Sequence, residues 1–219
     1  MMGGLFRVFG RPEFPGAVAR HVELSAAALL VAVAISVPLA LLVNRSPLAS
    51  LIAVNIGNIG RAVPSLALLA LAMPFLGFGF APSLVALAAL GIPPILINAA
   101  TGLREVSREV VDAARGMGLS NLQILTHIQL PLAAPVIFAG IRTSAVQIVA
   151  SATLATFIGG GGLGDIIVEG FQLSSTPVLL AGAFTVAALA IVTEVVFGAL
   201  ERVFTPEGLK VAKRRQAKR

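Results

Sequence analysis

Four stretches of this chain carry no charged side chain: residues 24–44, 62–103, 143–164 and 170–193, of 21, 42, 22 and 24 residues. A helix of about 20 residues crosses the hydrocarbon core of a bilayer, so the longest window has room for two. A water-solvated domain can bury one such segment. Four in a chain of 219 residues exceed what one core can cover, so lipid is the expected solvent. Composition agrees: 57% of the residues are hydrophobic and 12% charged, where soluble domains carry about 25% charge.

The pattern divides the chain into an N-terminal segment at 1–23, a transmembrane domain at 24–200 and a basic tail at 201–219. Spans are expected at about 24–43, 63–80, 83–101, 133–158 and 178–200, with a long polar loop at 102–132. Residues 48–60 are apolar but too short to cross, and are expected at the interface or packed on the bundle. Pro93 and Pro94 fall inside the third span, freeing carbonyls that neighbouring helices or water must satisfy. Arg142 lies in the fourth span, placed to snorkel to the headgroups or to pair within the bundle, and Glu194 lies in the fifth. No small-residue cleavage site follows a short apolar core near the start, so 24–44 reads as a retained span and not a signal peptide. There is no cysteine, which excludes disulfides and thiolate metal sites.

Orientation follows from charge. The tail holds seven Lys/Arg against two Glu, and such a tail beside a span marks the cytosolic side; nucleic acid is not an expected partner. Counting back two spans puts the polar loop in the cytosol and the glycine run 159–162 outside. Three more spans put the N-terminus outside, against the preference of Arg7, Arg11 and Arg20. A sixth span at 48–60 would remove that conflict; five is the favoured count.

The polar loop carries an organised segment, VDAARGMGLSNLQILTHIQLPLAAP, at 111–135. Val110, Ala114 and Met117 form an apolar stripe at helical spacing. Gly116 and Gly118 can end that helix, because glycine accepts the left-handed cap conformation. Ser120 and Gln123 have the spacing of a capping box that starts another. Leu122, Leu125 and Ile128 make the next stripe, and Pro131 closes the segment. The expectation is a helix–glycine–helix elbow across the cytosolic face, with an amphipathic loop resting on lipid as the alternative.

Asp112-Ala113-Ala114, Gly118, Ile128, Leu130 and Pro131 closely resemble the signature of ABC importer permeases, E-A-A-x₃-G-x₉-I-x-L-P, with Asp112 where glutamate is usual. The resemblance implies an all-α polytopic membrane protein with the type I ABC importer transmembrane fold. It makes Asp112, Ala113, Ala114, Gly118, Leu119, Ile128, Leu130 and Pro131 a coupling helix that docks on an ABC ATP-binding subunit. It further implies a second permease copy or paralogue, an extracytoplasmic solute-binding protein, and a multi-pass location in a bacterial or archaeal inner membrane. ATP and Mg would be used by the partner ATPase, with no cofactor or catalysis on this chain. Arg61-Ala62-Val63-Pro64-Ser65, Gly140-Ile141-Arg142-Thr143 and Ala155 to Asp165 look like the osmoprotectant subfamily, which imports glycine betaine, choline or carnitine. Methionine and polar amino acid permeases share parts of this pattern, so methionine, a sulfonate or another small solute is the alternative.

Gly159, Gly161 and Gly164 formally satisfy G-x-G-x-x-G, but no strand precedes them and no βαβ pattern surrounds them, so a dinucleotide site is not expected. No G-x-x-x-x-G-K-[ST] cradle occurs either, so ATP hydrolysis is expected elsewhere. The resemblance makes Gly159, Gly161, Gly162, Gly164 and Asp165 a receptor-side mouth; a plain inter-helix turn is the alternative. Polar groups within spans are pathway candidates: Asn98, Gln147, Ser151, Thr153 and Thr156, although Ser and Thr in helices commonly bond their own backbone. Trp and Tyr are absent, so neither can build an aromatic cage for a quaternary ammonium, and selectivity is expected mainly in the receptor. An intramembrane enzyme is the remote alternative. His21 and His127 are the only histidines, and H-E-x-x-H is missing.

Overall fold

Helices account for nearly all of the residues that the computed structural model describes, 2–44 and 46–204. In order they are α1 (Met2–Phe9), α2 (Glu13–Val43), α3 (Pro47–Arg61), α4 (Ser65–Leu76), α5 (Phe80–Arg104), α6 (Arg108–Gly116), α7 (Asn121–Ile124), α8 (Leu130–Ser151), α9 (Leu163–Gln172) and α10 (Thr176–Phe204). A π-helical turn, Leu125–Gln129, joins α7 to α8, and a 3₁₀ segment, Ala152–Ile158, extends α8. The basic tail expected at 201–219 is helical to Phe204; the rest of it lies outside the described residues.

The windows expected near 24–43, 83–101, 133–158 and 178–200 are each a long apolar helix. The first helix starts eleven residues earlier than its charge-free window, at Glu13. Its 31 residues reach roughly 46 Å, more than the roughly 30 Å hydrocarbon layer, so Glu13, Arg20 and Glu23 ride on its protruding end. The second expected span, 63–80, is not one helix. α4 has 12 residues, roughly 18 Å, and cannot cross alone. Pro64 precedes it and Gly77, at φ +73°, ends it. α3 and α4 meet at 94°.

Packing shows what that bent pair does. Ala53 of α3 clusters with Leu96, Ala99 and Leu103 near the C-terminal end of α5. Gly57 lies against Ile97, and Gly60 against Pro93. α4 continues along the N-terminal half of α5, where Leu69 packs on Ala86 and Ile158. The pair therefore runs from one end of the bundle to the other as a single broken span. Of the two places expected for residues 48–60, the structure shows the second: they pack on the bundle, as the first half of the bent pair. α2, α5, the helix ending at Ile158 and α10 are each long and apolar enough to cross, and the bent pair taken as one span brings the number to five.

α5 is the axis of the bundle, contacted by α2, α3, α4 and α8. Between helices in lipid the drive to associate is close packing and polar contact, and small residues permit it. A Cβ on Gly140 would sit 2.7 Å from Asn98 Cβ, and one on Gly91 2.7 Å from Ile148 Cδ1. The proline pair in α5 disturbs its ladder, and neighbours donate to carbonyls beside it. Ser144 Oγ donates to Gly91 O at 2.9 Å, Ser36 Oγ to Ile92 O at 3.2 Å, and Asn98 Nδ2 to Pro94 O at 2.8 Å. Arg142 pairs with Glu194 and, at 3.3 Å, Glu201, a partly exposed cluster that ties α8 to α10.

Candidate coupling elbow, pathway residues and outer mouth

The polar segment at 108–131 folds as a bent lever. α6 ends in a cap of the Schellman type: Gly118 N donates to Arg115 O at 2.9 Å and Leu119 N to Ala114 O at 3.2 Å. That cap needs a left-handed residue, and Gly118 supplies it at φ +85°; Gly116 stays helical. Ser120 then starts α7 with the expected reciprocal box. Its N–H donates to Gln123 Oε1 at 2.8 Å, and Gln123 N–H donates to Ser120 Oγ at 3.4 Å. From Asn121 the chain stays helical through Ile158, so α8 is the continuation of the elbow. Pro131, whose ring opposes an ordinary helical turn before it, is exposed at the start of α8, just past the π turn.

The two expected apolar stripes are corrected in part. In α6 only Ala114 is buried; Val110 is 42% exposed and Met117 72%. In the second segment the buried residue is Ile124, outside the expected stripe; of the stripe, Leu125 and Ile128 are half-buried and Leu122 is 70% exposed. Leu122 lies about 200° around the helix from Ile124, so with Ile124 turned inward it faces out, and the π turn at Leu125–Gln129 begins beyond both. Leu125 and Leu130 pack against the cluster of Ala40, Leu103 and Ala133, which fixes the elbow to the ends of α2, α5 and α8. Asp112 and Ala113 are exposed, with Arg115 paired to Asp112 at 3.2 Å; Leu119 and Ile128 are half-buried. Asp112, Ala113, Val110, Met117 and Leu122 are thus all exposed, the acidic residue on a different side of α6 from Val110 and Met117. Behind the elbow, Asn44, Arg115, Asn121 and Gln129 line a cavity of about 690 Å³.

The glycine run lies at the opposite end. Gly159 ends the 3₁₀ segment at φ +75°, and Ile158 O accepts from Gly79 N at 2.7 Å. Gly164 is in closest contact: a Cβ there would lie 2.1 Å from Thr153 O. A Cβ on Gly162 would lie 3.3 Å from His21. Arg20 donates from Nε to Gly160 O at 3.2 Å, pairs with Glu23 at 3.0 Å, and covers the Phe80 ring at 4.4 Å. Arg11 pairs with Glu169 at 2.7 Å. Glu13, Arg20, Gly161, Asp165 and Glu169 border a second cavity, of about 350 Å³.

The pathway candidates do not form one group. Asn98 bonds Pro94 O within its own helix and faces Gly140. Thr153 Oγ1 donates to Ala150 O at 2.8 Å. Thr156 donates to Asp165 and so belongs with the mouth. Gln147 and Ser151 are half-buried one turn apart on α8. The histidines sit at opposite ends. His21 Nε2 donates to Val149 O at 2.9 Å, and His127 Nδ1 lies 2.9 Å from Thr126 Oγ1. Asn55 and Asn58, which the sequence did not single out, stand on α3 at the i, i+3, i+6 spacing that ends in Arg61.

Comparison with known proteins agrees with this geometry. The family model described as "Binding-protein-dependent transport system inner membrane component" matches residues 27–205. The carnitine transport permease protein OpuCB of Listeria monocytogenes is 40% identical over 194 residues, 89% of either chain. The choline transport system permease protein OpuBB of Bacillus subtilis is 41% identical over 190 residues, 87% of this chain and 88% of that one. The glycine betaine/carnitine/choline transport system permease protein OpuCB of Bacillus subtilis is 38% identical over 87% of this chain and 88% of its own. Among solved structures, inward-facing MetNI methionine ABC transporter has a chain that superposes with a TM-score of 0.77 at 21% identity, covering 88% of this chain and 96% of that one.

Proposed function

The chain belongs to the family of binding-protein-dependent transport system inner membrane components, and from that membership we propose that it conducts small osmoprotectants of the glycine betaine, carnitine and choline type. It is the permease subunit of an ABC importer, a multi-pass inner-membrane protein. The solute class is carried over from relatives at 38–41% identity whose names specify those solutes. Methionine remains the solute of a structural neighbour at 21% identity, which speaks for the fold alone.

The exposed elbow is the observation that supports a coupling role. Val110, Met117 and Leu122 leave apolar area exposed on and beside a short polar helix, as a contact surface does, and Asp112 and Ala113 are exposed on its other sides. Asp112, Ala113, Ala114, Gly118 and Leu119 would dock in a cleft of the ATP-binding subunit, with Ile128, Leu130 and Pro131 joining the lever to α8. ATP and Mg are handled by that subunit. Closure of two ATP-binding subunits would draw two elbows together, and the unbroken helix from Asn121 to Ile158 would carry the displacement to the far side. There Gly159, Gly161, Gly162, Gly164 and Asp165 would meet a solute-binding protein, with Gln147 and Ser151 along the path between. A second copy or a paralogue would complete that path.

Gly118→Asp tests the elbow. A side chain at φ +85° strains the cap, while nothing within 4 Å obstructs it, so the bundle should insert and purify normally. Receptor-stimulated ATP hydrolysis by the full complex is expected to fall at least tenfold. Normal uptake by this variant would refute the coupling role. Uptake of labelled glycine betaine by the complete transporter in a transport-deficient cell tests the solute class; competition by methionine but not by choline or carnitine would refute it.

A further inference from the structure

The broken span holds polar side chains that no other described residue satisfies. α3 has three faces at 100° per residue. Ser50, Ala53 and Gly57 are buried, the last two against α5. Ile52, Ile56 and Ile59 form an exposed apolar face, from 49% to 70% open. Between these lies a strip that begins with exposed Leu48 and Leu51 and carries exposed Asn55, Asn58 and, at the end of the helix, Arg61. Among the described residues none of the three has a hydrogen bond or an ion pair.

Their depth makes this costly. Gly60 packs on Pro93, which is 13 residues from Phe80 and 11 from Arg104 on the central helix. Arg61 is therefore near the midplane, about 15 Å from either surface of the hydrocarbon core, beyond the reach of a snorkelling side chain. An unpaired guanidinium there is strongly disfavoured in lipid, and residues of this kind face a water-filled path or a partner charge. The helix also breaks at this point, by 94°, and irregular backbone at membrane depth is tolerated where it lines a cavity.

We propose that Asn55, Asn58 and Arg61 line the translocation path and that Arg61 receives the carboxylate of a zwitterionic solute. This rests on the osmoprotectant reading and narrows it. Glycine betaine and carnitine carry a carboxylate that matches a planar, permanently charged donor; choline carries none. The chain thus contributes a selectivity element of its own, at the end of the solute opposite to the quaternary ammonium.

The natural chain has no cysteine, which permits a direct test in the assembled transporter. Asn55→Cys and Asn58→Cys are expected to react with a membrane-impermeant anionic thiosulfonate, and Ile56→Cys, on the apolar face, to remain at least tenfold slower. Excess glycine betaine should slow labelling of Asn58→Cys severalfold more than excess choline does. Arg61→Gln should lower glycine betaine uptake at least tenfold, with partial recovery in Arg61→Lys. Labelling no faster than at position 56, protection by choline equal to that by glycine betaine, protection by neither, or wild-type uptake by Arg61→Gln would each overturn the proposal. Failure of the unmodified transporter to take up any of these solutes would instead refute the osmoprotectant reading, while the labelling comparison still reports whether the line is wet.

Discussion

At the scale of single residues, glycines divide into those that admit a side chain and those that do not. Gly164 touches backbone: a Cβ would lie 2.1 Å from Thr153 O, and a carbonyl in a helix cannot move aside as a flexible side chain can. Gly164→Ala should destabilise the outer end by about 1–3 kcal/mol, the usual range for overpacking, and lower the melting temperature in detergent. Gly116 is helical with nothing within 4 Å; Gly116→Ala should leave the melting temperature unchanged or raise it, because alanine is favoured over glycine in a helix by roughly 1 kcal/mol. If both variants melt alike, the close approach at Gly164 is wrong. Sequence could not separate these two positions. What distinguishes them is a neighbour eleven residues away in one case and open space in the other.

At the scale of elements, legibility depended on whether a signal was local. The capping box of Ser120 and Gln123 lies within four residues and was readable as it stands. So was the glycine cap at 118, and so were the four long spans, because charge-free length is a property of contiguous sequence. The broken span was not readable: neither half is long enough to cross, and only packing of Ala53 and Gly60 along α5 shows that they share one crossing. Burial in the elbow also failed at Leu122, because apolar residues at 122, 124, 125 and 128 fit more than one face, and only the packed structure shows that Ile124 is the one turned inward. Ser120→Ala probes the readable part. Loss of an N-cap costs about 1 kcal/mol, and α7 has one turn in which to absorb it. Amide exchange at residues 121–124 should quicken about fivefold while the melting temperature of the bundle stays within a degree or two. Unchanged exchange would show that packing of Ile124, and not the box, holds the turn.

For the whole molecule, five crossings require the N-terminus and the elbow to face opposite sides, and the three early arginines oppose that arrangement under the positive-inside rule. The structure supplies an offset for two of them. Arg11 is paired with Glu169 and Arg20 with Glu23, so the N-terminal end presents less free positive charge than its arginine count suggests. α1 packs beside the start of α10, where Gly4 meets Pro177, and α10 begins at the glycine end. The N-terminus and the glycine run are therefore on one side, and Phe204, stacked on Phe138 at 4.6 Å, is toward the other. Single cysteines in the cysteine-free chain read this out in whole cells. Gly16, with nothing within 4 Å, should label as Gly16→Cys with an impermeant maleimide in spheroplasts; Gly116→Cys should label only after permeabilisation. A six-crossing chain would put both cysteines on the cytosolic side and make both silent until the membrane is opened. Reaction of Gly16→Cys before permeabilisation, with Gly116→Cys protected, is the pattern that five crossings demand, and the broken span is what makes the number odd.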